Sequence, residues 1–324
     1  MHWTGTVESI AFEIGSVSVS WYGLIITCGM ILSLIYAILV NKKIGLTVDD
    51  ALEIFLCAVP FGILCARFGH VFARPDEYFP SPYTWDDFLE IFRIWDGGLT
   101  ILTGVVGGVL GAFLWTRWRK VDFIKATDRI LYVMLLAQGI GRWGNFFNQE
   151  IYGQLVTDPS LQWFPYAVYI ANKGAFYQAV FFYESLSNLI CFVAIALLVR
   201  HINVKGWGTC AYLFSYSTIR FVLEFFRNAN IVGNTVVILI QTVCALISVA
   251  SLVYMIAAPI ILKKRGHRIW YGKGGVPAEV IGSIHLVPVE TGKKAEEVLS
   301  TESRETSSEQ NNSTDTDNKE DNNA

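Results

Sequence analysis

The sequence predicts an all-α polytopic membrane protein with seven transmembrane helices, and three observations predict it. Hydrophobic residues make up 53% of the 324 residues and charged residues only 16%, where a soluble domain carries about 25% charged residues. The apolar residues gather into runs of about 20, long enough to cross a bilayer at about 1.5 Å per residue. Basic residues collect in every second connection, which sets an orientation. The net charge of −3 arises because acidic residues crowd the C-terminal tail while basic ones sit between spans, so no nucleic-acid partner is implied.

In chain order, residues 1–20 alternate weakly through Phe12, Ile14, Val17 and Val19 and read as an interfacial segment, amphipathic or extended. They contain no Lys or Arg, which excludes a secretory signal peptide. A membrane domain follows over 21–262. Its first span covers about Trp21 to Val40. The second, about Leu52 to Ala73, contains Glu53 and Arg67, and a polar loop with Pro75, Pro80 and Pro82 follows it. The third, about Gly98 to Trp118, carries Gly104, Gly107, Gly108 and Gly111 at a spacing that suits close helix packing.

The fourth span covers about Thr127 to Phe147. The connection 148–175 is aromatic and interrupted by Pro159 and Pro165, which predicts a small folded extracytoplasmic head between spans four and five. The fifth span is about Phe176 to Val199 with Glu184, the sixth about Trp207 to Phe226 with Arg220 and Glu224, and the seventh about Thr235 to Leu262. Residues 263–289 form a basic cytoplasmic segment. Residues 290–324 are dominated by Ser, Thr, Asn, Asp and Glu and read as a disordered tail.

Basic charge fixes the orientation. On one side lie Lys42, Lys43, Arg117, Arg119, Lys120 and Lys125, then Arg200, Lys205 and the group from Lys263 to Arg268. The other side has only Arg74, Arg93, Lys173 and Arg227. The N-terminus is therefore outside and the C-terminus cytoplasmic. In that arrangement Tyr22, Arg67, Arg142, Glu150, Glu184, Arg220, Glu224 and Arg227 gather towards the outer face. Ionisable groups inside a membrane are expensive and mark functional sites.

The densest polar stretch is Gly139 to Gly153, G-I-G-R-W-G-N-F-F-N-Q-E-I-Y-G. If its helix continues, Arg142, Phe146, Gln149, Glu150 and Gly153 share one face. Arginine forks pair bidentately with phosphate, so Arg67, Arg142, Arg220 and Arg227 predict a pocket that is cationic at headgroup depth, apolar below and suited to an anionic phospholipid. Plainer readings stand beside these. Arg220 and Glu224 are four residues apart and can neutralise each other. Arg67 can pair with a carboxylate and do nothing more. Tyr22 beside Trp21 fits an interfacial aromatic belt, and Asn145 and Asn148 fit helix-end caps. The six cysteines all lie in apolar segments, which implies neither a disulfide framework nor a nucleophile. The five histidines have no ligand spacing, so no metal is expected, and no nucleotide loop is seen.

The stretch from Arg142 resembles the signature of the prolipoprotein diacylglyceryl transferase family, an arginine followed by x-G-N-F-x-N-x-E-x-x-G. It matches at Arg142, Gly144, Asn145, Phe146, Asn148, Glu150 and Gly153. Trp21-Tyr22-Gly23, Trp95-Asp96-Gly97-Gly98, Tyr183-Glu184-Ser185 and the pattern from Arg220 through Glu224 to Arg227 resemble further family motifs, so the likeness covers roughly residues 15 to 260. It implies an enzyme of the bacterial cytoplasmic membrane, with its active site toward the outer leaflet and no cofactor. The implied reaction moves the diacylglyceryl group of phosphatidylglycerol to the lipobox cysteine thiol of a prolipoprotein signal peptide, giving a thioether and glycerol phosphate. By that resemblance Arg142 and Arg220 hold phosphate, and Asn145 and Tyr22 position the headgroup. Glu150 and Glu224 orient the arginines, Glu150 being the base candidate. Asn148, Gly153, Arg227 and Arg67 complete the substrate site. Two positions depart from the family. Leu102 stands where it has a His or Tyr, and Gln178-Ala179 where it has His-Pro. A catalytically silent relative that binds anionic phospholipid, and a lipid transporter, are the alternatives.

Overall fold

The computed structural model describes residues 9–15, 17–44, 47–80, 83–94, 97–226, 234–267 and 269–270. Trp95, Asp96 and Arg227, and the segments expected beyond Trp270 including the tail, lie outside the described residues. The first described element is a hairpin, β1 (Ile10–Ile14) paired antiparallel with β2 (Val17–Ser20). Helices α1 (Trp21–Ile44) and α2 (Val48–Ala73) follow, α2 starting on a Thr47–Asp50 capping box. Short helices α3 (Pro75–Tyr78) and α4 (Trp85–Glu90) lead to α5 (Ile101–Trp118). Then come α6 (Phe123–Ile130), α7 (Met134–Phe147), α8 (Val180–Leu198), α9 (Trp207–Glu224) and α10 (Asn234–Lys264).

Among the described residues five helices are long and apolar enough to cross a membrane: α1, α2, α5, α8 and α10. The two expected spans outside this group are the fourth and the sixth, which carry the densest polar residues. The fourth is also not one helix. A 3-10 turn at Leu131–Val133 divides α6 from α7 and leaves α7 with 14 residues. α6 is held instead to the start of α9, where Asp128 accepts from the backbone N–H of Thr209 and from its hydroxyl, both at 2.8 Å. A carboxylate at a helix N-terminus takes up its orphan N–H groups and complements its dipole.

α2 and α5 pack through glycine. A Cβ on Gly107 would lie 2.4 Å from the Phe61 carbonyl oxygen, and one on Gly111 2.5 Å from that of Cys57. The largest apolar core lies where α7, α8 and α9 meet away from the polar stretch, around Tyr132, Leu135, Phe192, Ile195, Val199 and Trp207. Between α7 and α8 the chain folds on itself. Strands β3 (Ala167–Ile170) and β4 (Ala175–Gln178) form an antiparallel hairpin. Val168 and Ile170 pack there with Ala179 and Phe181 against Phe146 and Tyr152.

Candidate active site

The end of α7 makes the site. Gln149 takes a left-handed conformation at φ 50°, so the helix cannot continue, and its N–H donates to the Phe146 carbonyl while that of Glu150 donates to Asn145. This is a Schellman turn, which closes the last orphan carbonyls of a helix. The helix ends at Phe147, so the condition under which Gln149, Glu150 and Gly153 would share a face with Arg142 is not met. The turn instead folds Glu150 back over Asn145. The side chain of Gln149 accepts from the N–H of Ala171 at 2.9 Å, which pins the turn to the hairpin beyond it.

A continuous chain of polar contacts results. At the exposed end, Glu150 Oε1 accepts from Asn145 Nδ2 at 2.8 Å and from Asn148 Nδ2 at 3.4 Å. Asn145, buried, accepts from Arg142 Nη1 at 3.3 Å. Arg142 Nη2 lies 2.6 Å from Glu184 Oε1 on α8, and Arg220 Nη1 on α9 lies 3.9 Å from Glu184 Oε2. Arg220 also pairs with Glu224 at 3.4 Å. Glu184 is 1% exposed and joins three helices into one network. Sequence reasoning noted its charge but left it out of the expected catalytic set. The signal was there, since it is the one carboxylate in its apolar run.

The other expected residues fall into two groups. Tyr22 joins the site: it packs on Gly144, where a Cβ would lie 2.8 Å from Tyr22 Cδ2, and it is within electrostatic range of Glu150 and Arg142. Its neighbour Trp21 stacks on Phe147 with ring centroids 5.0 Å apart. Gly153 has a packing role, because a Cβ there would meet Val180, the Phe226 carbonyl and Gln178 within 2.9 Å. Arg67 is not brought to the network. It is 4% exposed, and it donates to the carbonyls of Ile91 and Gly97 at 2.8 Å, of Gly98 at 3.2 Å and of Glu90. Four of its five N–H groups bond the carbonyls of residues 90, 91, 97 and 98, so in this structure it serves that backbone and not the network expected to hold phosphate. Leu102, in the first turn of α5, is 75% exposed, and Gln178 hydrogen-bonds to the backbone of Gln154.

The described part of the cluster carries a different charge balance from the cationic pocket expected, with Arg227 outside the described residues. Two guanidiniums, Arg142 and Arg220, face three carboxylates, Glu150, Glu184 and Glu224. The described cluster is therefore not cationic. Both arginines are held in counter-charge by Glu184, and an incoming phosphate must compete with that carboxylate for them.

Comparisons with known proteins bear on this site. The family model for prolipoprotein diacylglyceryl transferase matches residues 9–261. The chain is 34% identical over 262 residues to the phosphatidylglycerol–prolipoprotein diacylglyceryl transferase of Oceanobacillus iheyensis, covering 79% of this chain and 90% of that one. It is 36% identical over 270 residues to phosphatidylglycerol–prolipoprotein diacylglyceryl transferase 1 of Clostridium perfringens, covering 81% and 97%. A Clostridium kluyveri relative of the same name is 33% identical over 267 residues, covering 81% of this chain and all of its own.

Proposed function

The chain belongs to the prolipoprotein diacylglyceryl transferase family, and from that premise we propose that it transfers the sn-1,2-diacylglyceryl group of phosphatidylglycerol to the lipobox cysteine of prolipoprotein signal peptides. The cysteine sulfur bonds to the sn-3 carbon of the glyceryl group as the bond from that carbon to the phosphate oxygen breaks. Glycerol phosphate leaves with the electron pair, and the thiol proton passes to a base. The observation that carries this reading is the convergence of Arg142 and Arg220, from separate helices, on one buried carboxylate. In this reading the two forks, taken from Glu184 by the phosphate, stabilise the negative charge that develops on the leaving group, and such stabilisation is usually the largest contribution to rate.

Each residue then has a task. Arg142 and Arg220 take the phosphate. Asn145, held between Arg142 and Glu150, orients the headgroup together with Asn148 and Tyr22. Glu150, the exposed carboxylate of the network, is placed to accept the thiol proton, since a free thiol has a pKa of about 8.5 and must lose it to attack. Glu184 and Glu224 hold the arginines in place.

The setting we propose is the bacterial cytoplasmic membrane, crossed seven times, with the site at the outer leaflet and residues 148–175 as an outer head. Two features support it. The start of α1, the end of α7, the start of α8 and the end of α9 meet at the site through Tyr22, Arg142, Glu184 and Glu224. The opposite helix ends carry the basic connections, with Arg119 at 3.1 Å from Glu53 and Lys205 paired with Asp122. In this reading the fourth and sixth spans, formed by α6 with α7 and by α9, are polar because they carry the chemistry.

The test uses purified protein, phosphatidylglycerol and a lipobox peptide, with mass spectrometry of the peptide cysteine. A diacylglyceryl mass is expected with wild type, and Arg142→Ala is expected to lose at least about 100-fold in rate. Wild type that binds phosphatidylglycerol but leaves the peptide unmodified overturns the transferase and leaves a lipid-binding protein.

A further inference from the structure

Asn188 lies on α8 one turn further along than Glu184. It is 0% exposed, and neither its amide nitrogen nor its amide oxygen has a hydrogen-bond partner. A buried amide without partners is costly, the more so where no water reaches it. Native structures keep such groups for a reason, a missing ligand or a second arrangement being two of them.

The surroundings narrow that reason. Helical side chains tilt toward the N-terminus, so Asn188 reaches back beneath the turn that carries Glu184. Residues four apart on a helix are neighbours. α7 closes over this level: Ser185 Oγ donates to the Gly139 carbonyl at 2.7 Å, and a Cβ on Gly139 would lie 3.0 Å from Leu189. On α7 the Gln138 nitrogen donates to the Tyr212 hydroxyl at 3.0 Å, while its oxygen, like the Tyr132 hydroxyl, has no hydrogen-bond partner. Glu184, four residues back on the same helix, is a carboxylate that Asn188 is placed to meet, and in this structure Glu184 is turned toward the arginines.

Resting on the reading that a phosphate headgroup enters this site, we propose that Asn188 is a positioning residue, holding the Glu184 side chain when Arg142 and Arg220 turn to the phosphate. Among the described residues the carboxylates of the network outnumber its guanidiniums, so the phosphate must take the forks from Glu184. A buried carboxylate that loses its cation needs a new donor, and breaking a buried pair without one is strongly unfavourable. The Asn188 amide supplies it: its NH₂ group donates to the ionised carboxylate, and its carbonyl accepts from the protonated one. The amide that has no partner while the arginines hold Glu184 is the partner that Glu184 takes when phosphate holds the arginines.

The experiment uses the full-length protein in nanodiscs of phosphatidylcholine. It compares wild type, Asn188→Leu, Glu184→Gln and the double variant, with Asn188→Ala replacing the leucine variant if that does not fold. Four quantities are read: the thermal midpoint of the empty protein, Kd for phosphatidylglycerol, Kd for glycerol phosphate, and KM and kcat for transfer. The expected result for Asn188→Leu is an empty-state midpoint unchanged or raised, because an unpartnered amide is gone. Kd and KM for phosphatidylglycerol rise about 10-fold with kcat little changed, the signature of lost binding shared by ground and transition states. In the Glu184→Gln background the same substitution has no further effect on Kd. A glycerol phosphate Kd that rises in parallel assigns the trigger to the phosphate, and one that does not assigns it to the intact lipid.

An Asn188→Leu variant with unchanged Kd and KM overturns the inference. So does a weakened Kd that comes with a lowered empty-state midpoint and persists in the Glu184→Gln background, which is a packing role. Wild type that binds phosphatidylglycerol without transfer sinks the transferase reading alone, since the Kd comparison still decides Asn188. Wild type that does not bind it sinks both.

Discussion

The α2–α5 pair and the α7–α8–α9 bundle both hold helices together inside an apolar solvent, by opposite means. Between α2 and α5 the contact is steric. Glycines bring backbone to backbone, as where Gly62 and Gly104 each lie against the other's carbonyl. Among α7, α8 and α9 the site end is joined by charge, through Arg142, Glu184, Arg220 and Glu224. Lipid chains are as apolar as leucine, so only close packing or polar bonding can hold helices together there. The first device fixes a distance and carries no chemistry. The second leaves groups that a ligand can compete for. The difference predicts that the seam is sensitive to volume and the bundle to charge.

The largest effect is expected in the seam. Gly107→Leu drives a side chain against the Phe61 carbonyl and Cys65, and because the nearest obstacle is backbone, the helices must separate. Overpacking of this kind costs about 3 kcal/mol, read as a fall in the thermal midpoint in detergent. A variant that keeps the wild-type midpoint shows the seam to be loose and breaks the comparison.

Glu184→Gln is expected to act the other way. It keeps the volume but removes the charge shared by two arginines. Transfer should fall about 100-fold, or about 2.7 kcal/mol of barrier, with a smaller loss of thermal stability than Gly107→Leu. If its midpoint drops further than that of the glycine variant, the network is mainly structural. Between these two stands Arg67→Lys. An ammonium cannot reproduce a fork that donates to several carbonyls. Its expected cost is about 1–2 kcal/mol, seen as faster proteolysis of the 74–97 loop with transfer reduced less than in Glu184→Gln.

The contrast also marks what a sequence conveys. The seam was legible because glycines at helical spacing announce close packing by themselves. The site was legible in part, since Arg142, Asn145, Glu150, Arg220 and Glu224 stood out as charges and amides within or beside apolar runs, while Glu184 was noted only as a charge. Its connectivity was not legible. Which carboxylate lies between the arginines depends on how α7, α8 and α9 rotate against each other, and helical periodicity within one span does not contain that. The turn at Gln149 was hidden for a related reason: a left-handed residue is usually announced by glycine, and here a glutamine takes that conformation with its side chain pinned to Ala171. Arg67 misled because a buried arginine looks the same in sequence whether it faces a phosphate or a ring of carbonyls.

The smallest effect sharpens the comparison from a third setting, a charge pair in water. Asp122 precedes α6 and pairs with Lys205 while it accepts from the N–H of Lys125 at 3.2 Å. Burial works to raise its carboxyl, but the hydrogen bonds from Lys205 and from the Lys125 backbone, with the charges of both lysines, outweigh burial and hold it below the ordinary value of 3.8. A carboxyl depressed in the folded state adds stability above its unfolded value, and that stability is lost as pH falls below 3.8 through the folded value. Asp122→Asn keeps a good helix cap and removes only the charge. The variant should therefore be less stable than wild type near neutral pH by less than about 1 kcal/mol, the usual worth of an exposed pair. The gap should close in acid and shrink in about 1 M salt, where screening reaches a few ångströms. The buried Arg142–Glu184 pair, out of reach of salt, should show no such shrinkage when Glu184→Gln is compared with wild type. A gap at Asp122 that survives both acid and salt assigns that residue to packing rather than charge.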